Sequence, residues 1–141
     1  RNCAEATIKD IGVIAVDSGW EIHVAGNGGI KVRVTDFFTK VATDEELFHY
    51  IKAIMQFYRE DAYYLERTAH WVERVGLEYV KDALLKDKTN LDYYAKRFDE
   101  SQRTAQVDPW EKSRKDGFTD EFSPIVIAPE NSESFEAKET I

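Results

Sequence analysis

The stretch Ile11-Gly12-Val13-Ile14-Ala15-Val16-Asp17-Ser18-Gly19-Trp20-Glu21-Ile22-His23-Val24 decides how this chain folds. Its first six residues form an apolar run of strand length, rich in the β-branched side chains that suit a pleated surface. Asp17-Ser18-Gly19 supplies turn chemistry. Beyond the turn, Trp20, Ile22 and Val24 alternate with Glu21 and His23, so one face of the second strand is buried. The pair is expected to form an antiparallel hairpin. Ala25-Gly26-Asn27-Gly28-Gly29 then lets the backbone adopt positive φ or approach something closely. A third strand is expected next, with Ile30, Val32 and Val34 on one face and Lys31, Arg33 and Thr35 on the other.

Working outward from the hairpin, Ala4 to about Lys9 reads as a short helix before it. After Asp36 the apolar period changes from two to 3.6. Thr43-Asp44-Glu45-Glu46 is a capping-box signature, in which the hydroxyl accepts from the N3 amide and Glu46 reaches back. The helix it opens carries Leu47, Ile51, Ile54 and Tyr58 at helical spacing, with Phe48 and Met55 widening the stripe. A second helical pattern runs from about Asp61 to Val75, with Leu65, Ala69 and Val72 inside and Gly76 as the stop. Shorter helices are predicted around 78–86 and 91–102, the latter with Thr89 and Asn90 as cap candidates. The many aromatic residues between Tyr50 and Tyr79 are read as helix-packing material.

Five of the seven glycines lie between Gly12 and Gly29, all seven tyrosines between Tyr50 and Tyr94, and the three prolines follow residue 108. That partition predicts an α+β fold in three parts: a small antiparallel β region over 1–42, a helical region over 43–104 packed on it, and a polar tail over 105–141. Within the tail, Phe122 to Ile127 is a candidate extended segment, and the acidic stretch from Pro129 onward is expected to be mobile.

Composition narrows the functional classes. At 141 residues the chain can bury a core as one domain. A net charge of −8 argues against nucleic acid, whose phosphates demand a basic surface. No apolar run approaches the roughly 20 residues of a membrane span, and no signal-peptide layout is present. A single cysteine excludes an internal disulfide and points to a reducing compartment, most simply the cytoplasm.

That cysteine, Cys3, lies in Arg1-Asn2-Cys3-Ala4-Glu5-Ala6, ahead of the expected short helix, where a helix dipole would favour a thiolate. The plain alternative is a buried, inert thiol. A nucleophile needs a histidine base, yet His23, His49 and His70 have no spacing that demands proximity to Cys3, and each is read as structural. A self-contained zinc site fails for want of CxxC or HxxxH spacing. There remains a ligand to a centre whose other ligands come from elsewhere, and an iron–sulfur cluster, usually held by four thiolates, is the natural case. For Gly26-Asn27-Gly28-Gly29 a tight turn competes with a close approach to a flat or anionic ligand. Lys31 and Arg33 either pair with carboxylates or phosphates or simply form a solvated face.

These segments together resemble the C-terminal part of the sirohaem nitrite and sulfite reductase family. The resemblance rests on Arg1-Asn2-Cys3-Ala4-Glu5-Ala6 and on the glycine-rich stretch from Ala25 through Arg33. Val16-Asp17-Ser18-Gly19-Trp20-Glu21 and the run from Tyr64 to Gly76 favour the NAD(P)H-dependent nitrite branch. It covers residues 1 to about 85 well and the tail loosely.

The resemblance implies a [4Fe–4S] cluster held by four cysteines, the last of which also bridges to the sirohaem iron. Cys3 corresponds to that bridging cysteine, and Asn2 precedes it in the family's Cys-Pro-two residues-Cys motif, inside which this chain begins. The other three cysteines, the nitrite-binding arginines and lysines, and the FAD and NAD(P)H domains are then expected upstream, so that the piece alone is inactive and contains no catalytic residue. Gly26, Asn27, Lys31 and Arg33 become candidate neighbours of the sirohaem carboxylates. Nitrite would be the substrate of the intact enzyme, with the upstream domains, and in bacterial members a separate small subunit, as partners. A sulfite reductase and a cofactor-free α+β interaction module are the rival readings.

Overall fold

The computed structural model describes residues 4–106 together with 108, 110, 111 and 115. The chain divides into two units, Arg1–Gln106 and Val107–Ile141. The first is α+β. A single 3₁₀ turn (Ala6–Ile8) leads into β1 (Ile11–Val16), β2 (Gly19–Val24) and β3 (Asp36–Val41), which form an antiparallel sheet in the order β1-β2-β3. Four helices follow: α1 (Asp44–Asp61), α2 (Thr68–Val75), α3 (Leu77–Lys81) and α4 (Lys88–Ala105), with one π turn (Asp82–Lys86) between the last two. In the second unit, the described residues show a local turn, where the Trp110 amide donates to Asp108, and a Lys115–Glu111 ion pair. The candidate segment Phe122 to Ile127 lies outside the described residues.

The hairpin forms as its alternation predicts, with Ile11 opposite Val24 and Val16 opposite Gly19 across a two-residue turn. The expected third strand does not lie at Ile30–Thr35. Ile30, Val32 and Val34 are 108%, 68% and 64% exposed, whereas the next residues, Asp36–Val41, pair with β2 and bury Phe38 and Val41. The choice follows from burial. The earlier run alternates but has no core to face, while a bulge opposite Ile22 and His23 leaves Phe38 as an extra residue on β3 and turns it inward.

Helix α1 starts where the capping box places it: the Glu46 amide donates to Thr43 Oγ1, and the Glu46 carboxylate accepts from the Thr43 and Ala42 amides. Leu47, Ile54 and Phe57 bury its apolar stripe, but Phe48 and Met55 face out rather than widening it. The predicted second helix begins late, at Thr68, because residues 62–67 form a loop in which Leu65 is 83% exposed at φ 62° instead of lying inside. The α4 cap is neither Thr89 nor Asn90: the Asp87 carboxylate accepts from both of their amides. The core joins sheet to helices through Ile22, Val24, Phe38, Ile54, Phe57, Trp71 and Leu84. The aromatic residues do pack helix to helix, with Phe57 rings 5.6 Å from Trp71 and 5.1 Å from Tyr94. Tyr63 and Tyr64 are exceptions and stand in solvent.

The 62–67 loop is braced by Glu66. Its carboxylate accepts from the Tyr63 amide and binds Arg74 through two nitrogens at 2.8 and 2.7 Å, and its carbonyl accepts from the Tyr58 hydroxyl. The Arg74 hydrogen bond holds the Glu66 carboxyl at about 2, far below its ordinary 4.5. A lowered carboxyl pKa stabilises the fold fully above the unfolded value and loses that contribution as the pH falls towards the folded one. Acid unfolding is therefore expected to draw on Glu66 between about pH 4.5 and 2. A Glu66→Gln variant should show a flatter stability-against-pH curve across that window, read by chemical denaturation at stepped pH. An unchanged slope would contradict the assignment.

Candidate cofactor-facing site

Asn2 and Cys3, with Arg1, lie outside the described residues. The segment that follows Cys3 is well defined, and it corrects the expected helix: Glu5 is left-handed at φ 54°, and only Ala6–Ile8 make a single 3₁₀ turn. One such turn carries almost no macrodipole, so the anticipated stabilisation of a thiolate by a helix dipole has no structural basis.

What the turn does instead is dock. The Thr35 amide donates to Thr7, Ala25 to Asp10 and Gly26 to Lys9, at 2.8, 2.9 and 3.0 Å. These bonds stitch residues 7–10 alongside the end of β2 and the approach to β3. Two glycines make the contact possible. A Cβ on Gly12 would sit 2.0 Å from the Ala6 carbonyl oxygen, and one on Gly26 would sit 2.5 Å from the Lys9 oxygen. The close approach that Gly26 permits is thus to the chain's own backbone. Tertiary structure in this way brings the segment leading from Cys3 beside the glycine-rich loop.

The loop itself is closed by an isolated bridge in which Asn27 and Arg33 exchange backbone hydrogen bonds of 2.9 Å. The Asn27 side chain braces its interior, donating to the Lys31 carbonyl at 2.8 Å and accepting from the Gly29 amide at 3.3 Å. Arg33 pins the loop from below. Its guanidinium donates to the Ala25 carbonyl at 2.6 Å and pairs with Asp36 at 2.6 Å and Glu73 at 3.2 Å. Arg33 is therefore charge-compensated. Lys31, exposed at the loop's far side, has no ion-pair partner among the described residues.

Between this loop and α2 lies a concavity of about 260 Å³ lined by Asn27, Lys31, Arg33, His70 and Glu73, among others. His70, expected from its helical position to be structural, shares this concavity with Lys31. His23 and His49 keep structural roles, against Glu21 and Phe37 in one case and Asp92 in the other. Among the described residues, no group of three or more His, Cys, Asp or Glu side chains is placed to hold a metal ion. The donor set fits a four-iron cluster only as a contributor, since the chain's one cysteine is a quarter of the usual thiolates. The loop fits a polyanionic neighbour better: it offers an uncompensated lysine above a rigid, glycine-bearing backbone.

Residues 1–91 match the family described as the nitrite and sulphite reductase 4Fe-4S domain, and the chain belongs to that family. It is 46% identical over 116 residues to a nitrite reductase [NAD(P)H] of Bacillus subtilis, covering 82% of this chain and 14% of that protein. It is 37% identical over 112 residues to the nitrite reductase (NADH) large subunit of Escherichia coli, covering 78% and 13%. A nitrite reductase [NAD(P)H] of Emericella nidulans is 42% identical over 93 residues, covering 64% and 8%. The chain thus spans about a seventh or less of the length of these curated relatives. No solved structure matches. No helix among the described residues is long and apolar enough to cross a membrane.

Proposed function

We propose that the chain is the C-terminal portion of the sirohaem and [4Fe–4S] module of an NAD(P)H-dependent nitrite reductase, in which Cys3 ligates the cluster and bridges to the sirohaem iron. The observation that carries the reading is the family match over residues 1–91, which includes Cys3 and the glycine-rich loop. Relatives named as nitrite reductases extend across the helical region as well. When bound, the coupled cluster and haem supply the electron path for six-electron reduction of nitrite to ammonia.

The chain's own residues have supporting tasks. The 3₁₀ turn and its three backbone hydrogen bonds hold the segment after Cys3 at a fixed place beside the loop. Asn27 and Arg33 brace that loop and also line the concavity, where they remain candidate neighbours of the sirohaem. Lys31 offers positive charge to sirohaem carboxylates, and His70 across the concavity offers a hydrogen-bonding ring nitrogen. FAD, NAD(P)H and the remaining cluster cysteines belong to upstream domains of the same polypeptide, and a small subunit completes the enzyme in the bacterial case. Cytoplasmic placement follows from the need for a reduced thiolate.

The test uses the full polypeptide that carries this chain. Purified after expression, it is expected to hold about five irons per four acid-labile sulfides, four from the cluster and one from the sirohaem, to show sirohaem absorption, and to oxidise NAD(P)H when nitrite is added. Preferential turnover of sulfite would move the reading to the other branch of the family. Absence of iron and sulfide from an otherwise folded protein would remove it.

A further inference from the structure

We propose that the cavity between β1 and helices α1 and α2, with the aromatic loop beside it, seats an apolar segment bearing an acidic side chain, drawn from the part of the same polypeptide N-terminal to Arg1. The inference rests on the nitrite reductase reading, which places further domains upstream. The cavity holds about 280 Å³ and lies apart from the cofactor-facing loop. Val24, Ile54 and Trp71 form a buried floor, and the apolar rim includes Met55, 38% exposed on α1.

Two features make this a surface built to receive something. Between the rim residues Tyr58 and Arg67, the loop presents Tyr63, Tyr64 and Leu65 at 66%, 92% and 83% exposure. The loop that carries them is held in place. Glu66 fixes the backbone, the Arg74 guanidinium stacks 4.0 Å from the Tyr63 ring centre, and Leu65 is held at positive φ. A left-handed leucine costs free energy and persists only where its surroundings impose it. Exposed aromatic residues on a braced loop beside an apolar cavity are the anatomy of a contact anchor.

Charge and length name the occupant. The rim carries two arginines. Arg67 is paired with Asp10 at 2.7 Å, but Arg59 donates only to Ser101 and Gln56 and has no carboxylate within ion-pair distance among the described residues. Glu60 acts on Arg59 from beyond ion-pair distance but is itself bonded to Arg97, so a directly paired acidic side chain is the complement Arg59 lacks among the described residues. A second copy of this chain is disfavoured by its own net charge of −8. In the Bacillus and Escherichia relatives the matched segment is 14% and 13% of the polypeptide, so a large body of upstream chain is at hand to cover the surface. The cavity also opens beside Asp10 and Ile11, a few residues along the chain from Arg1.

The experiment places a photoreactive benzoyl-phenylalanine at Met55, and separately at the more exposed Tyr64, in the full polypeptide, followed by irradiation and mass spectrometry. The expected crosslinks join position 55 or 64 to peptides upstream of Arg1 in the same molecule. Adding Arg59→Glu should lower the position-55 yield about fivefold, the scale of a reversed charge contact. Crosslinks between copies, to a different polypeptide, only to peptides within these 141 residues, or none from either position would overturn the proposal. Nitrite turnover and sirohaem content measured on the same samples separate the two readings. Turnover without upstream crosslinks sinks the surface alone, whereas upstream crosslinks without sirohaem sink only the enzymatic assignment.

Discussion

Serine in place of Cys3, made in the full polypeptide, is expected to abolish nitrite turnover and to strip or alter the sirohaem spectrum. Thiolate is a soft donor matched to iron–sulfur centres, whereas a serine hydroxyl is a hard oxygen that stays protonated at neutral pH. In the proposed role one sulfur serves two metals, so its loss removes a cluster ligand and the link to haem together. Altering an outer-shell partner of a metal site typically costs 10 to 100-fold, and losing the ligand itself should exceed about 100-fold in turnover. Far-ultraviolet circular dichroism on the same sample checks that the variant is folded, while its thermal unfolding midpoint is expected to fall with the loss of the bound groups. A variant that keeps both its sirohaem absorption and its turnover would show that Cys3 is the inert thiol of the plainer reading.

Trp71→Ala is expected to be the most damaging single change to the fold. Trp71 is 2% exposed, and its ring lies 5.6 Å from Phe57 and 5.5 Å from Tyr58, at the junction of α1 and α2. Its indole N–H donates to Asp61 at 2.6 Å, and the same carboxylate accepts from the Tyr79 hydroxyl at 3.1 Å. Truncation removes the apolar contacts, leaves a cavity and deprives a half-buried carboxylate of one donor. Large-to-small changes of this kind cost about 3–5 kcal/mol, against a total of about 5–15 kcal/mol for a domain. The midpoint of thermal unfolding should fall by about 10–25 °C. Trp71→Phe keeps most of the volume and loses the hydrogen bond, so it should cost only about 1–2 kcal/mol. Equal losses for the two variants would mean that the indole N–H, not ring packing, carries the effect.

The two predictions address different links of one argument. The Cys3 test concerns chemistry that needs a centre completed from outside this chain. The Trp71 test concerns the body that holds the cofactor-facing loop at its place. Between them stands Arg33, which joins the loop to α2 through Glu73, so that packing around Trp71 and the position of the loop are not independent.

Several parts of the structure were legible in the residues because the signals are local. The β1–β2 hairpin follows from alternation and a turn a few residues long. The start of α1 follows from Thr43 and Glu46, whose hydrogen bonds span three residues. The stop at Gly76, at φ 87°, is likewise a short-range signal. Membership in a cofactor-binding family was legible for a different reason: Asn2, Cys3 and the glycine-rich stretch carry a pattern of residue types, and a pattern needs no coordinates.

Tertiary structure decided what depends on competition between distant partners. The run 30–35 alternates and 36–41 does not, yet the second pairs with β2, because it is the one that buries Phe38 and Val41. Leu65 looked like a core residue until the Glu66–Arg74 brace placed it in solvent. Gly26 and Arg33 were read as candidate ligand neighbours, and the fold adds contacts within the chain that spacing did not foretell, with Lys9 in one case and with Asp36 and Glu73 in the other. Cys3's residue type by itself narrowed the proposed chemistry, because a thiolate is the usual ligand of an iron–sulfur cluster. Lys31 was a candidate from the sequence, but that His70 lines the same concavity emerged only when the loop and α2 had packed together. Spacing in sequence carries no record of a concavity formed between elements about 40 residues apart.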